Sequence, residues 1–146
     1  MYGSLTPTAD LNEGEQVLLE IRPDRATYWR DHAWMAVIAM AGGMAILFFM
    51  GNPHVWTGAV GGLAAVAIRA FYVASDELKV RWDLTNQRLM GPQARIIRLA
   101  EIKQMKTLGS ALQVITLSGD KHLLKYLPDR EATRQAIQRT RAGGRP

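Results

Sequence analysis

The sequence predicts an α+β membrane protein: a two-helix transmembrane hairpin inserted in a twisted antiparallel sheet or partly closed barrel with a C-terminal helix. Three observations predict it. Two long apolar runs are separated only by Asn52, Pro53 and His54, the pattern turns to strict alternation after the second run, and Pro128 opens a helix-forming last segment. The division that follows is a leader over 1–32, a hairpin over 33–74 and a strand-rich domain over 75–146.

The apolar runs concentrate 31 of the 70 hydrophobic residues of this 146-residue chain in 39 positions, so only one modest soluble core can be built from the remainder. The chain has no cysteine, which excludes disulfides, thiolate chemistry and cysteine-ligated metals and fits a domain facing a reducing compartment. Met1 to Glu20 carries acids and no basic region ahead of an apolar stretch. It does not read as a cleaved signal peptide, and the apolar runs are expected to stay in the protein.

Residues 33–51 (AWMAVIAMAGGMAILFFMG) hold no charge, and at about 1.5 Å per residue they cover roughly the 30 Å hydrocarbon core. Residues 55–74 (VWTGAVGGLAAVAIRAFYVA) form a second span containing Arg69, whose long stem can carry its charge to the headgroups. Trp34, Trp56, Phe71 and Tyr72 lie near the span ends, where amphipathic rings prefer the interface. The short link makes the helices antiparallel neighbours. If Gly51 faces Val55, then Gly42 and Gly43 meet Gly61, Gly62 and Leu63 at mid-membrane, where small residues permit close backbone approach. Gly58 and Gly62 also form a GxxxG, which serves either this pairing or another membrane protein.

The link has no Lys or Arg, residues 1–32 have three, and residues 75–146 have fourteen. The positive-inside rule then places both termini in the cytoplasm.

Glu77 to Leu84 alternates, which predicts a half-buried strand with Leu78, Val80, Trp82 and Leu84 inward. A turn at Thr85–Arg88 leads to a short return at Leu89-Met90, stopped by Gly91-Pro92. Further strands are expected over 94–99 and 102–108, and 110–117 with 121–127 flank a Ser-Gly-Asp hairpin turn. Pro128 suits the first turn of a helix running to Arg141, with Ala132, Ala136 and Ile137 on its packing face and Gly143-Gly144 beyond its end. Before the hairpin, 15–21 reads as a strand and 23–32 as a helical lead-in. The expectation is seven strands and one C-terminal helix.

GEQVLLEIRP before the first span, and WDLTNQRLM and IIRLAEIKQM after the second, resemble the bacterial pleckstrin-homology-like family of membrane proteins. Leu84-Thr85-Asn86-Gln87-Arg88-Leu89 is the most specific segment, and the likeness covers roughly 13–127. The chain is also similar to assembly factors of photosynthetic complexes in purple bacteria, though shorter and with only two spans. The resemblance implies a pleckstrin-homology-like barrel in the bacterial inner membrane, a binding or scaffolding role, and no catalytic residues to carry over.

The residues themselves show no catalytic motif. His32 and His54 lie at opposite ends of one helix, about 30 Å apart, and cannot share a metal. Asp76 and Glu77 are adjacent, and on a strand would point to opposite faces. Residues 75–146 carry fourteen basic against seven acidic residues. Arg69, Lys79, Arg81, Arg88, Arg95 and Arg98 are the candidate contacts for anionic lipid or a partner. Nucleic acid is not expected, since Trp82 points inward rather than onto the basic face. No cofactor, metal or small-molecule substrate is expected. The partners are the bilayer and other integral membrane proteins, with the chain acting as an accessory or assembly protein; the alternative is a lipid-responsive module acting alone.

Overall fold

The computed structural model describes residues 5–144. The chain divides into two compact units, one of residues up to Thr27 together with those from Asp76 onward, the other Tyr28–Ser75.

The first unit begins with β1 (Val17–Ile21), which skips the hairpin to pair antiparallel with β2 (Trp82–Thr85), setting Leu19 opposite Leu84 and Ile21 opposite Trp82. Leader and C-terminal segment are thus one sheet. β3 (Arg88–Met90) and β4 (Ile96–Arg98) complete it in the order β1-β2-β3-β4. A single 3-10 turn, Leu99–Glu101, then leads to a second sheet of β5 (Ile102–Leu108), β6 (Ala111–Thr116) and β7 (Lys121–Leu124). Seven strands are described, as expected, but they form two sheets rather than a partly closed barrel. β3 and β4 have three residues each, and the 3-10 turn interrupts the ladder before β5 can extend it.

The strand expected from Glu77 starts only at Trp82, because α2 (Trp56–Glu77) continues to Glu77 and the Lys79 amide donates to the Asp76 carbonyl in a turn. Trp82 and Leu84 are buried as their parity requires, and Val80 packs on the core from outside the strand. The opposite face is not solvated. Asp83 and Thr85 are also buried, which polar side chains tolerate only when paired: Asp83 meets the Arg81 guanidinium at 3.0 Å and Thr85 donates to Glu15. Leu84, Leu89, Ile97, Leu112, Val114 and Ile137 centre the core.

The last helix, α3 (Arg130–Arg141), starts two residues later than Pro128, since the Asp129 side chain accepts from the Ala132 amide and caps it. Ala136 and Ile137 are buried as expected, whereas Ala132 is exposed. Arg141 donates to the carbonyls of Leu99 and Ile102, fixing the helix end on the turn between the sheets.

In the hairpin, the expected lead-in and first span are one helix, α1 (Arg25–Phe49), whose first turn is capped by Asp24 accepting from the Thr27 amide. Both α1 and α2 are long and apolar enough to cross a membrane, and their most apolar windows are only 11% buried, unlike helices that form a soluble core. Near the open end of the hairpin, Tyr28 donates to the Ala70 carbonyl at 2.7 Å and the rings of Trp29 and Phe71 lie 5.5 Å apart. At the crossing, a Cβ on Gly43 would overlap the Gly58 carbonyl, and one on Gly62 would lie 2.5 Å from the Ala39 carbonyl oxygen. The helices therefore meet five residues from the expected register, Gly43 lying against Gly58 rather than Leu63, an offset of about one and a half turns. Ala39/Gly43 and Gly58/Gly62 each put two small residues on one face, whereas Gly42 and Gly61, about 100° around each helix, have open space where a side chain would go.

Candidate functional site

The most connected polar group joins the leader to the β2–β3 turn. Glu15, with a side chain fully excluded from solvent, accepts from Arg88 Nη2 at 2.6 Å and Nε at 2.9 Å, from the Thr85 hydroxyl at 2.6 Å, and from the Asn12 amide. Asn86 completes the joint: its amide donates to the Gln16 carbonyl, its Oδ1 accepts from the Gln16 amide and its Nδ2 donates to the Gly14 carbonyl. The Arg88 guanidinium, then the Thr85 and Asn12 donors, hold the Glu15 carboxyl down at about 2 against the opposing effect of burial. Both Glu15 carboxylate oxygens are engaged by these donors, so the cluster serves to lock the fold.

The same unit contains a groove of about 220 Å³. Its apolar lining includes Ile21, Val80, Trp82, Leu123, Leu124 and Leu127, with Arg22, Arg95 and Lys125 as its cations and Asp76 and Glu77 as its carboxylates. Trp82 is held from behind by Gly91, where any Cβ would overlap the ring, and its ring meets His122 edge-on at 6.1 Å. Burial, then the charge of Arg95, push the His122 imidazole down, favouring the neutral ring. Among the described residues, the non-glycine residues with left-handed backbone are Gln93, Ala94 and Tyr126. All three lie in the two loops bordering the groove, at a cost of order 1 to 3 kcal/mol each that the surrounding structure must offset. Arg22 and Pro23 precede α1, and Asp76 and Glu77 end α2. Residues that adjoin the hairpin in sequence therefore form part of the groove, beside the β3–β4 loop and the end of β7.

The expected contact residues do not form one patch. Arg88 is not a free cation, since its side chain is 12% exposed and committed to Glu15. It was expected on a solvated strand face, but the leader covers that face. Arg81 is half-committed to Asp83. Lys79, Arg95 and Arg98 are exposed, in the turn before β2, beside the groove and on β4 opposite Arg88 respectively. Arg69 is exposed on α2. Of the glycines, Gly43, Gly58 and Gly62 meet at the helix crossing and Gly42 and Gly61 do not. No group of residues able to hold a metal occurs among the described residues.

Sequence reasoning missed Glu15 and the role of Thr85. The available signal was their shared place in the two most specific segments, Gly14-Glu15 and Leu84-Thr85-Asn86-Gln87-Arg88-Leu89, although nothing in either segment states that they touch. Comparison with protein-family models, curated proteins and solved structures finds no match.

Proposed function

We propose that this chain is a non-enzymatic, membrane-anchored binding or scaffold protein with a pleckstrin-homology-like domain, acting as an accessory subunit or assembly factor of a larger membrane protein complex in a bacterial inner membrane. The observation that carries the reading is the pairing of β1 with β2 across the inserted hairpin. It means that the sheet domain is joined to the helical hairpin by two covalent connections, one at each end of the hairpin. In this reading α1 and α2 span the membrane, both termini are cytoplasmic under the positive-inside rule, and the large exposed side chains Ile38, Phe48 and Ile68 contact lipid or the complex.

The helix crossing shifts the weight of the argument toward the soluble domain, because Gly58 and Gly62 are occupied within the hairpin and are not offered to another protein. A second reading, a lipid-responsive module acting alone, is favoured by Lys79, Arg95 and Arg98, which are exposed and have no carboxylate partner among the described residues. Extraction in mild detergent followed by native separation distinguishes the two. The first predicts migration within a larger assembly; a free small particle under every mild condition overturns it.

A further inference from the structure

The groove beside β7 has features that the anchoring role does not need. β7 is an edge strand, paired with β6 on one side and with no strand on the other among the described residues. Leu123, Leu124 and Lys125, at and just past its end, line the groove, and Val80 and Trp82 lie across from them. At about 220 Å³ the space is below the roughly 300 to 1,000 Å³ of pockets that enclose a small-molecule ligand, and suits one large side chain. An open edge beside a side-chain pocket is how an extended peptide is recognised, with main-chain pairing along the edge and one anchoring side chain in the pocket.

Charge selects the peptide further. Arg22 is paired with Glu20 at 2.7 Å, and Lys125 lies 3.8 Å from Glu77. Arg95 donates to the neutral Gln93 side chain at 3.3 Å, and the two residues before it adopt left-handed backbone. Of the three groove cations, Arg95 is thus the one with no carboxylate partner among the described residues, and a carboxylate is its complement.

We propose that the β7 edge and its groove form a docking site for an extended segment of a partner protein, which places an aromatic or leucine side chain beside Leu123 and Val80 and a carboxylate on Arg95. This deepens the scaffold reading and rests on it. The interaction is recognition only and involves no covalent step.

The test uses the full chain in phosphatidylcholine nanodiscs and a fluorescein-labelled peptide, Thr-Val-Phe-Thr-Glu-Val, read by anisotropy. Saturable binding is expected, weakened by about tenfold or more when the peptide's Phe is changed to Ser or its Glu to Lys. Arg95→Glu, at an exposed loop position, should reverse the preference between the Glu and Lys peptides. Absence of saturable binding, indifference to the Phe, or an unchanged preference in Arg95→Glu overturns the proposal. So does loss of binding when phosphatidylglycerol replaces phosphatidylcholine, which would assign the groove to a lipid headgroup. A chain that migrates in a large assembly yet fails these peptide tests keeps its scaffold role and loses this site.

Discussion

Glu15 and Arg88, 73 positions apart in sequence, form a two-pronged ion pair at 2.6 and 2.9 Å that joins the segment before the hairpin to the first turn after it. Because the pair is nearly excluded from solvent, removing one member leaves a charge with no partner. Glu15→Ala or Arg88→Ala should each destabilise the soluble domain by about 3 to 5 kcal/mol. A double change to apolar residues, Glu15→Met with Arg88→Leu, should recover part of that loss. Denaturant unfolding of the chain in detergent checks both, and equal stability of wild type and the single variants would reduce the pair to an incidental contact.

The same carboxylate makes stability depend on pH. Its folded value of about 2 lies below the ordinary 4.5, so the unfolded chain binds the proton more readily. The contribution is then present above about pH 4.5 and is lost as pH falls toward 2, amounting to on the order of 3 kcal/mol. Acid titration of domain unfolding should show this loss in wild type and a much smaller one in Glu15→Gln.

In the hairpin, Gly43→Leu and Gly62→Leu force a side chain against backbone of the facing helix, while Gly42→Leu and Gly61→Leu point into open space. The first pair should weaken helix association by on the order of 1 to 3 kcal/mol, by analogy with overpacked cores; the second pair should be close to neutral, and Leu47→Ala mild. Comparison of the four glycine variants by detergent-induced unfolding is decisive, because equal effects would mean the helices do not cross at Gly43 and Gly58.

Trp82 is 2% exposed, and Trp82→Ala should cost about 3 to 5 kcal/mol and open the soluble domain to protease while membrane insertion survives. Reversal of the exposed charges Lys79 and Arg98 should leave protease resistance intact. Arg81 belongs with the structural residues, since its reversal would set two negative charges together at the buried Asp83. Limited proteolysis in membranes separates these outcomes.

What could be read from the sequence depended on range. β5 occupies the expected residues 102–108, and β6 with β7 lie inside the expected hairpin, because period-two patterning and turn residues are local signals. Trp82 and Leu84 face the core for the same reason. The start of β2 was not legible, since helix α2 overrides the alternation of Glu77 to Arg81. The register of the two helices was not legible either. A three-residue link fixes that they are neighbours, but the face each presents is set by spacing-of-four pairs, Ala39/Gly43 and Gly58/Gly62, among several available glycines. Arg88 shows the deeper limit: on a strand it looks like any other exposed cation, and only the long-range pairing of β1 with β2 reveals that Glu15 covers it.

If α1 and α2 cross the membrane as proposed, the pairing of β1 with β2 around the hairpin requires that residues before and after it share one side of that membrane. The chain has no cysteine, so Glu13→Cys, His54→Cys and Lys121→Cys each create a single labelling site. Labelling sealed vesicles of defined orientation with a membrane-impermeant maleimide should find positions 13 and 121 accessible from the cytoplasmic side and position 54 only from the other. Positions 13 and 121 on opposite sides, or position 54 on the same side as both, would contradict the account.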